Sequence, residues 1–398
     1  MNDITATTRA GREVTLRFEA AEHRDRQARA RAELARRGLD ALLVFAQESH
    51  YWLTGFDTSG YVFFQVGVLT ADERPTVLLT RRPDLRQAQV SSLYDDIRVW
   101  LNAEGARPAL ELRGILQELG LAGARIGVEF ATHGLTGANC REVESALGGF
   151  CSLVDASDVV RTLRLVKSAA ELAYVREAGR LADVAVEAMI AASGPGILDS
   201  RVTAAGVAAM LDQGADMPAT GPLVNSGPRA LYGRGVGGPR RMGETDQLMV
   251  ELGASFCRYH VCIEHTIAIG KVDPRQRDMM KVAAQALDEI VENASAGREL
   301  GTLDDIHRRA LDEAGFASER FAACGYALGC TFRPTWMDVP PMIYSGNRLV
   351  MQPGMVFFVH IMIPDTRTGL AAGVGQTFVI TEGPAERLSG IPLVLHER

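Results

Sequence analysis

QLMVELGASFCRYHVCIEHTIAIG, residues 247–270, decides how the chain is read. Two apolar runs, QLMVELGA and YHVCIEHTIAIG, flank a short break at SFC, the pattern of a β-hairpin. Side chains alternate faces along a strand. His260, Cys262 and Glu264 therefore share one face, and Tyr259, Val261, Ile263 and His265 the other. An imidazole, a thiol and a carboxylate at successive positions of one face are costly to bury unless they are paired. The functional expectation is a cleft lined by titratable groups. The structural alternative is an exposed face with a solvated Glu264.

More strands follow. MVFFVHIMI (355–363) starts after the turn residues Pro353-Gly354 and carries one histidine, His360, in an otherwise apolar run. QTFVITEG (376–383) reads as another strand. Helical periodicity covers 276–295 and 303–315. Upstream, Ser168-x-x-Glu171 is a capping-box signature for a helix from about 169 to 193, ended by Gly194-Pro195-Gly196.

Residues 18–38 predict a helix ended by Gly38, and 106–120 a second, amphipathic one. Strand-like runs lie at 40–46, 61–70, 75–80 and 125–130. Strands alternating with helices over this length specify an α/β domain with a mixed sheet. The boundary falls near 155–168, which gives two domains, 1–160 and 161–398, in an α/β (α+β) fold.

The 398 residues are 47% hydrophobic and 23% charged, which excludes a disordered or collagenous chain. Lys and Arg number 42 against 49 Asp and Glu, so the net charge of -7 leaves no basic excess for nucleic acid. Six cysteines, at 140, 151, 257, 262, 324 and 330, form no CxxC pair and fit a reducing compartment. The N-terminus shows no apolar signal region, and no apolar run is long enough to span a membrane. The expectation is a cytoplasmic protein with no nucleic-acid or membrane partner.

Two glycine-rich stretches carry arginines. GRGVGGPRR (233–241) matches neither GxGxxG nor the Walker pattern, and reads as a loop with Arg234 as a candidate anion contact. CGYALGCTFRPTW (324–336) offers Tyr326 and Arg333 as candidate cleft residues, or as residues that merely pack a turn. No GxSxG elbow supports a serine hydrolase. Cys262 beside His260 or His360 is either a nucleophile or, as is more common for a buried cysteine, an inert small hydrophobe.

Taken in order, YWLTGFDTSGYVFF, RLVKSAAELAYVREAG, VNSGPRAL, VELGA, EHTIAIG, CGYALG, LVMQPGMVFFVH and VGQTFVITEG resemble the creatinase/prolidase/methionine-aminopeptidase superfamily over nearly the whole chain. The resemblance implies a creatinase-like N-terminal domain followed by a pita-bread domain that holds the site. It also implies a homodimer in which one N-terminal domain covers the other subunit's cleft, and Tyr61 and Phe63 either take part in that contact or fill their own domain's core. Metallopeptidases of this superfamily hold two metal ions with two Asp, one His and two Glu. At those positions this sequence has Glu251, Cys262, Tyr326, His360 and Gly375. So changed a set implies that the two-metal site is absent, and no metal or cofactor is expected.

Metal-free creatinase and ectoine hydrolase look similar through Arg258-Tyr259-His260 and GYALG. Glu264 takes the place of a substrate-binding glutamate of creatinase, and Arg234 that of its catalytic histidine. The expected function is metal-independent hydrolysis of a C–N bond in a small polar molecule. His360 or His260 would move the proton, and Glu251 and Glu264 would hold a cationic substrate group. Arg234, Tyr326, Arg333, Cys262 and Tyr61 complete the substrate contacts. Two rival readings are a metallopeptidase with divergent ligands and a non-catalytic peptide-binding module.

Overall fold

The computed structural model describes residues 3–235 and 237–398. Met1, Asn2 and Val236, the last within the stretch 233–241, lie outside the described residues. The chain divides into two compact units, one ending at Arg164 and the other running Leu165–Arg398.

The N-terminal unit begins with a hairpin, β1 (Ile4–Thr7) and β2 (Glu13–Leu16). Its six-stranded sheet comprises β3 (Ala41–Val44), β4 (Val66–Thr70), β5 (Val77–Arg81), β6 (Asp96–Trp100), β7 (Arg125–Val128) and β8 (Ser152–Asp155), in the order β6-β5-β4-β3-β7-β8. β4 runs antiparallel to both β3 and β5, and the remaining pairings are parallel, so the sheet is mixed. β3 is buried at every position, as an apolar run covered on both faces should be. The strand expected over 61–70 is shorter. Gly60–Val62 is a 3₁₀ turn, because the Thr58 hydroxyl accepts the Gly60 N–H and itself donates to Asp84, folding the chain back.

The C-terminal unit is built on one large sheet. Its strands are β9 (Leu223–Ser226), β10 (Asp246–Phe256), β11 (Tyr259–Ile269), β12 (Gly325–Ala327), β13 (Met342–Ile343), β14 (Val356–Asp365) and β15 (Leu370–Val379), in the order β13-β12-β14-β15-β11-β10-β9. Two short strands, β16 (Glu386–Arg387) and β17 (His396–Glu397), add to β15 and β11. Phe357, Val359 and Ile361 of β14 pack with Leu287 and Ile290 of helix Pro274–Asn293 in the main core. That leaves Phe358, His360 and Met362 for the other face.

The β10–β11 hairpin is longer than the sequence suggests. β10 continues to Phe256, and the turn is Cys257-Arg258 rather than SFC. Both turn residues have positive φ, 48° and 69°, as a two-residue hairpin turn matched to strand twist requires. Asp216 Oδ2 accepts the Arg258 N–H at 2.9 Å and holds this glycine-free turn in place. Helix Ala169–Ala192 starts with the expected capping box: Ser168 Oγ accepts the Glu171 N–H at 3.2 Å, and Glu171 Oε2 accepts the Ser168 N–H at 2.8 Å.

Candidate active site

Strand register builds the site. Glu251 of β10 lies opposite Glu264 of β11, Glu264 opposite Gly375 of β15, and Gly375 opposite His360 of β14. Residues paired across a sheet share a face, so Glu251, Glu264 and His360 project together. Glu264 Oε2 meets His360 Nδ1 at 3.2 Å. One step along the strands, Cys262 Sγ lies 3.4 Å from Glu251 Oε1, and the Tyr326 hydroxyl donates to that same oxygen at 3.2 Å. Trp336 Nε1 donates to the Tyr326 oxygen at 2.9 Å. Two linked groups result: an ion pair, Glu264–His360, and a hydrogen-bonded chain, Trp336–Tyr326–Glu251–Cys262.

Burial sets the electrostatics. Desolvation, and then the charge of Glu264, push the Glu251 carboxyl up to about 7. For His360 burial pulls downward, but the hydrogen bond and charge of Glu264, with Glu251 behind it, outweigh burial and leave the imidazole raised. Desolvation holds Cys262 and Tyr326 well above their ordinary values, so thiol and phenol keep their protons at neutral pH.

A cleft of about 580 Å³ opens over this floor. Phe321, Tyr326 and Trp336 supply aromatic walls, and Glu251 and His360 face the cavity. Arg234 is exposed at the lining, its Nη2 3.5 Å from Met337 Sδ.

Several sequence candidates fall elsewhere. His260 shares the strand face, but it does not join the cleft. Its Nε2 accepts the Ala219 N–H at 3.0 Å, and Nδ1 lies 2.9 Å from the Arg258 carbonyl and 3.0 Å from Thr331 Oγ1. Both ring nitrogens are thus committed, and burial pushes the imidazole down to about 3. Arg333 is exposed and does not line the cleft, although its neighbours Pro334 to Met337 do. Tyr61 is buried in the N-terminal unit, whereas Val62 and Phe63 are exposed there. The Arg81 guanidinium lies 3.3 Å from the Phe63 ring centre.

Sequence reasoning missed three residues. Trp336 closes a stretch that was singled out only for Tyr326 and Arg333. Phe358 sits two residues before His360, and that spacing is the available signal. Asn225, in VNSGPRAL, is 2% exposed beside Glu251, Glu264 and His360, and among the described residues its Oδ1 has no hydrogen-bond partner.

Residues 173–382 match the model of metallopeptidase family M24. The chain belongs to metallopeptidase family M24. Residues 26–166 match the creatinase/prolidase N-terminal domain, so the two-domain, pita-bread expectation holds. Ectoine hydrolase of Halomonas elongata is 23% identical over 400 residues, covering 96% of this chain and 98% of the relative. The Xaa-Pro dipeptidase of Pyrococcus furiosus is 29% identical over 232 residues, covering 58% of this chain and 65% of the relative. Among solved structures, dipeptidase PepE of Mycobacterium ulcerans superimposes with a TM-score of 0.83 at 24% identity, covering 96% of this chain and 99% of that one. Recombinant prolidase of Thermococcus sibiricus gives 0.85 at 17% identity, covering 94% and 99%. At these identities the structures speak for the fold.

The residues at the five ligand positions do not fit a pair of M24 metal ions. A Cβ at Gly375 would lie 2.5 Å from Phe358 Cζ and 3.0 Å from His360 Cβ, so the ring fills the space of a carboxylate there. The Tyr326 oxygen is taken up by Trp336 and Glu251. Among the described residues, no three His, Cys, Asp or Glu donor atoms of the cleft come within 4.8 Å of one another. Hard divalent ions favour oxygen-rich cages, and this floor keeps two carboxylates, one of them paired with an imidazole.

Proposed function

We propose that this M24 chain is a metal-independent hydrolase that cleaves a non-peptide C–N bond of a small polar molecule. The observation that carries the reading is the Glu264–His360 pair, in which His360 takes a position that the resemblance gives to a metal-binding glutamate. A carboxylate on Nδ1 fixes the imidazole tautomer and leaves Nε2 for the substrate side. The arrangement suits general acid–base chemistry at neutral pH.

In this reading His360 takes a proton from water as the water oxygen bonds to the substrate carbon. Glu264 stabilises the imidazolium. The C–N bond breaks as a proton passes to the leaving nitrogen, from His360 or from the Glu251 carboxyl at about 7. The charge of Glu264, with the Glu251 carboxyl as a further hydrogen-bond acceptor, favours an amidine, guanidino or amine group on the cleft floor. Arg234, at the lining, suits a substrate carboxylate. In a homodimer the exposed Val62 and Phe63, rather than buried Tyr61, would carry the contact.

Full-length protein, dialysed against EDTA, is incubated with a cyclic amidine acid, a guanidino acid, an N-acyl diamine and an Xaa-Pro dipeptide, and products are followed by NMR. Hydrolysis of a non-peptide compound without added metal is the expected result. Turnover of the dipeptide alone, and only after Mn²⁺ is restored, sinks the reading in favour of a peptidase.

A further inference from the structure

Three donors that do not line the cleft converge in the apolar core of the C-terminal unit. Asp304 and His307 stand three apart on helix Gly301–Glu313, so their side chains share a face. Cys324 immediately precedes β12. Asp304 and Cys324 are fully buried and His307 is 2% exposed, in a core that includes Leu303, Leu311 and Ile343. One donor atom from each residue falls within 4.8 Å of the other two, the one such set of three among the described residues. His307 Nδ1 lies 3.0 Å from Asp304 Oδ1.

We propose that Asp304, His307 and Cys324 bind one zinc-class divalent ion as a structural site. The mixed nitrogen, oxygen and sulfur set is one that zinc accepts and that hard ions do not prefer. One carboxylate and one thiolate cancel a double positive charge, so the loaded site is neutral, as an apolar core demands. Asp304 Oδ2 is already held by the Ser345 N–H at 3.0 Å, with Arg308 Nη1 at 4.0 Å, which aims Oδ1 toward His307 and Cys324. Outer contacts of this kind orient metal ligands. Loading releases the thiol proton, the imidazole binds as its neutral tautomer with the hydrogen on the other ring nitrogen, and water takes the fourth position. The Cys324 carbonyl accepts the His360 N–H at 2.9 Å, so the ion ties the helix to the strand that carries His360. This site is independent of the function proposed above.

The test strips the full-length chain with EDTA, reloads it with Zn²⁺ or Co²⁺ and removes excess ion. Zinc is counted by elemental analysis, and cobalt is followed through its near-ultraviolet thiolate charge-transfer band. About one zinc per chain and a cobalt–thiolate band are expected. Both should disappear in Cys324→Ser and His307→Gln and persist in Cys262→Ser. Cys324→Ala, which buries no hydroxyl, replaces Cys324→Ser where the latter does not fold. No tightly held zinc in the wild-type chain, a band that survives loss of Cys324, or a band that vanishes with Cys262→Ser overturns the proposal.

Discussion

Glu264 and His360 meet across a strand that places no side chain between them. Gly375 is in register with both, and the carboxylate reaches His360 Nδ1 at 3.2 Å by passing over β15. Gly373 keeps the same path clear, since a Cβ there would lie 2.8 Å from Glu264 Oε1. Gly373→Ala should therefore displace the carboxylate, and it also presses on the end of the Met249 side chain, whose Cε would lie 2.9 Å from the new Cβ. Displacing a positioning group by about 1 Å costs on the order of 10²-fold in rate. Turnover of the identified substrate, with circular dichroism to confirm folding, checks this. Unchanged turnover would mean that Glu264 does not position the imidazole.

His360 should titrate above the ordinary histidine value of about 6.5, and Glu264→Gln should lower it. The sign for stability follows. A raised folded value stabilises fully below about pH 6.5, and the contribution is lost as pH rises through the folded pKa. NMR of the imidazole in wild type and Glu264→Gln measures the shift directly. Equal values in the two proteins would dismiss the ion pair.

His360→Asn keeps a polar group of similar reach but cannot move a proton. It should lower turnover on the order of 10²–10⁴-fold, with substrate affinity little changed. His260→Gln is the contrasting variant. Both nitrogens of His260 serve the backbone and Thr331, so the expected cost is about 1–3 kcal/mol of stability from disrupted hydrogen bonds, with turnover retained per folded molecule. Denaturant unfolding alongside steady-state kinetics separates the two. A reversed pattern would exchange the roles of the histidines.

On the acid side, four histidines act together. Burial pushes His23, His50, His260 and His265 each down to about 3. Depressed imidazoles stabilise fully above about pH 6.5, and that stability is lost as pH falls from there toward 3. Glu251, raised to about 7, works oppositely: its contribution is present below about 4.5 and is lost as pH rises through 7. The melting temperature should fall on acidification from pH 6.5 to 4. Glu251→Gln should steepen that acid-side fall between pH 6.5 and 5, because the glutamate's opposing contribution is removed, and should abolish the loss of stability as pH rises through 7. A melting temperature flat across the acid range would contradict the buried, neutral histidines.

The strand period made much of this site legible. Alternation alone put Cys262 and Glu264 on one face, and the pairing with Glu251 and His360 bears that out. Alternation could not separate His260 from them, because what removes His260 is a backbone N–H at Ala219, 41 residues away in sequence. Trp336 and Asn225 reach the floor through a loop and an edge strand, where no period operates. In the N-terminal unit the long runs predicted their strands, while short pieces such as helix Gln47–Thr54, buried at every position but Glu48, and β6 passed unread. Four to eight residues carry too few repeats to declare a period.

On the metal-independent reading proposed above, Phe358 acts as a ratchet. With that ring lying over Gly375, restoring an acidic residue at 375 by a single exchange meets a clash, not a ligand. Trimming Phe358 first opens a void in a packed face and restores nothing. Neither order of single steps is neutral, so the two positions are bound together by epistasis. A lineage that had acquired both residues would find the way back closed, and selection would be left to refine the imidazole and its carboxylate.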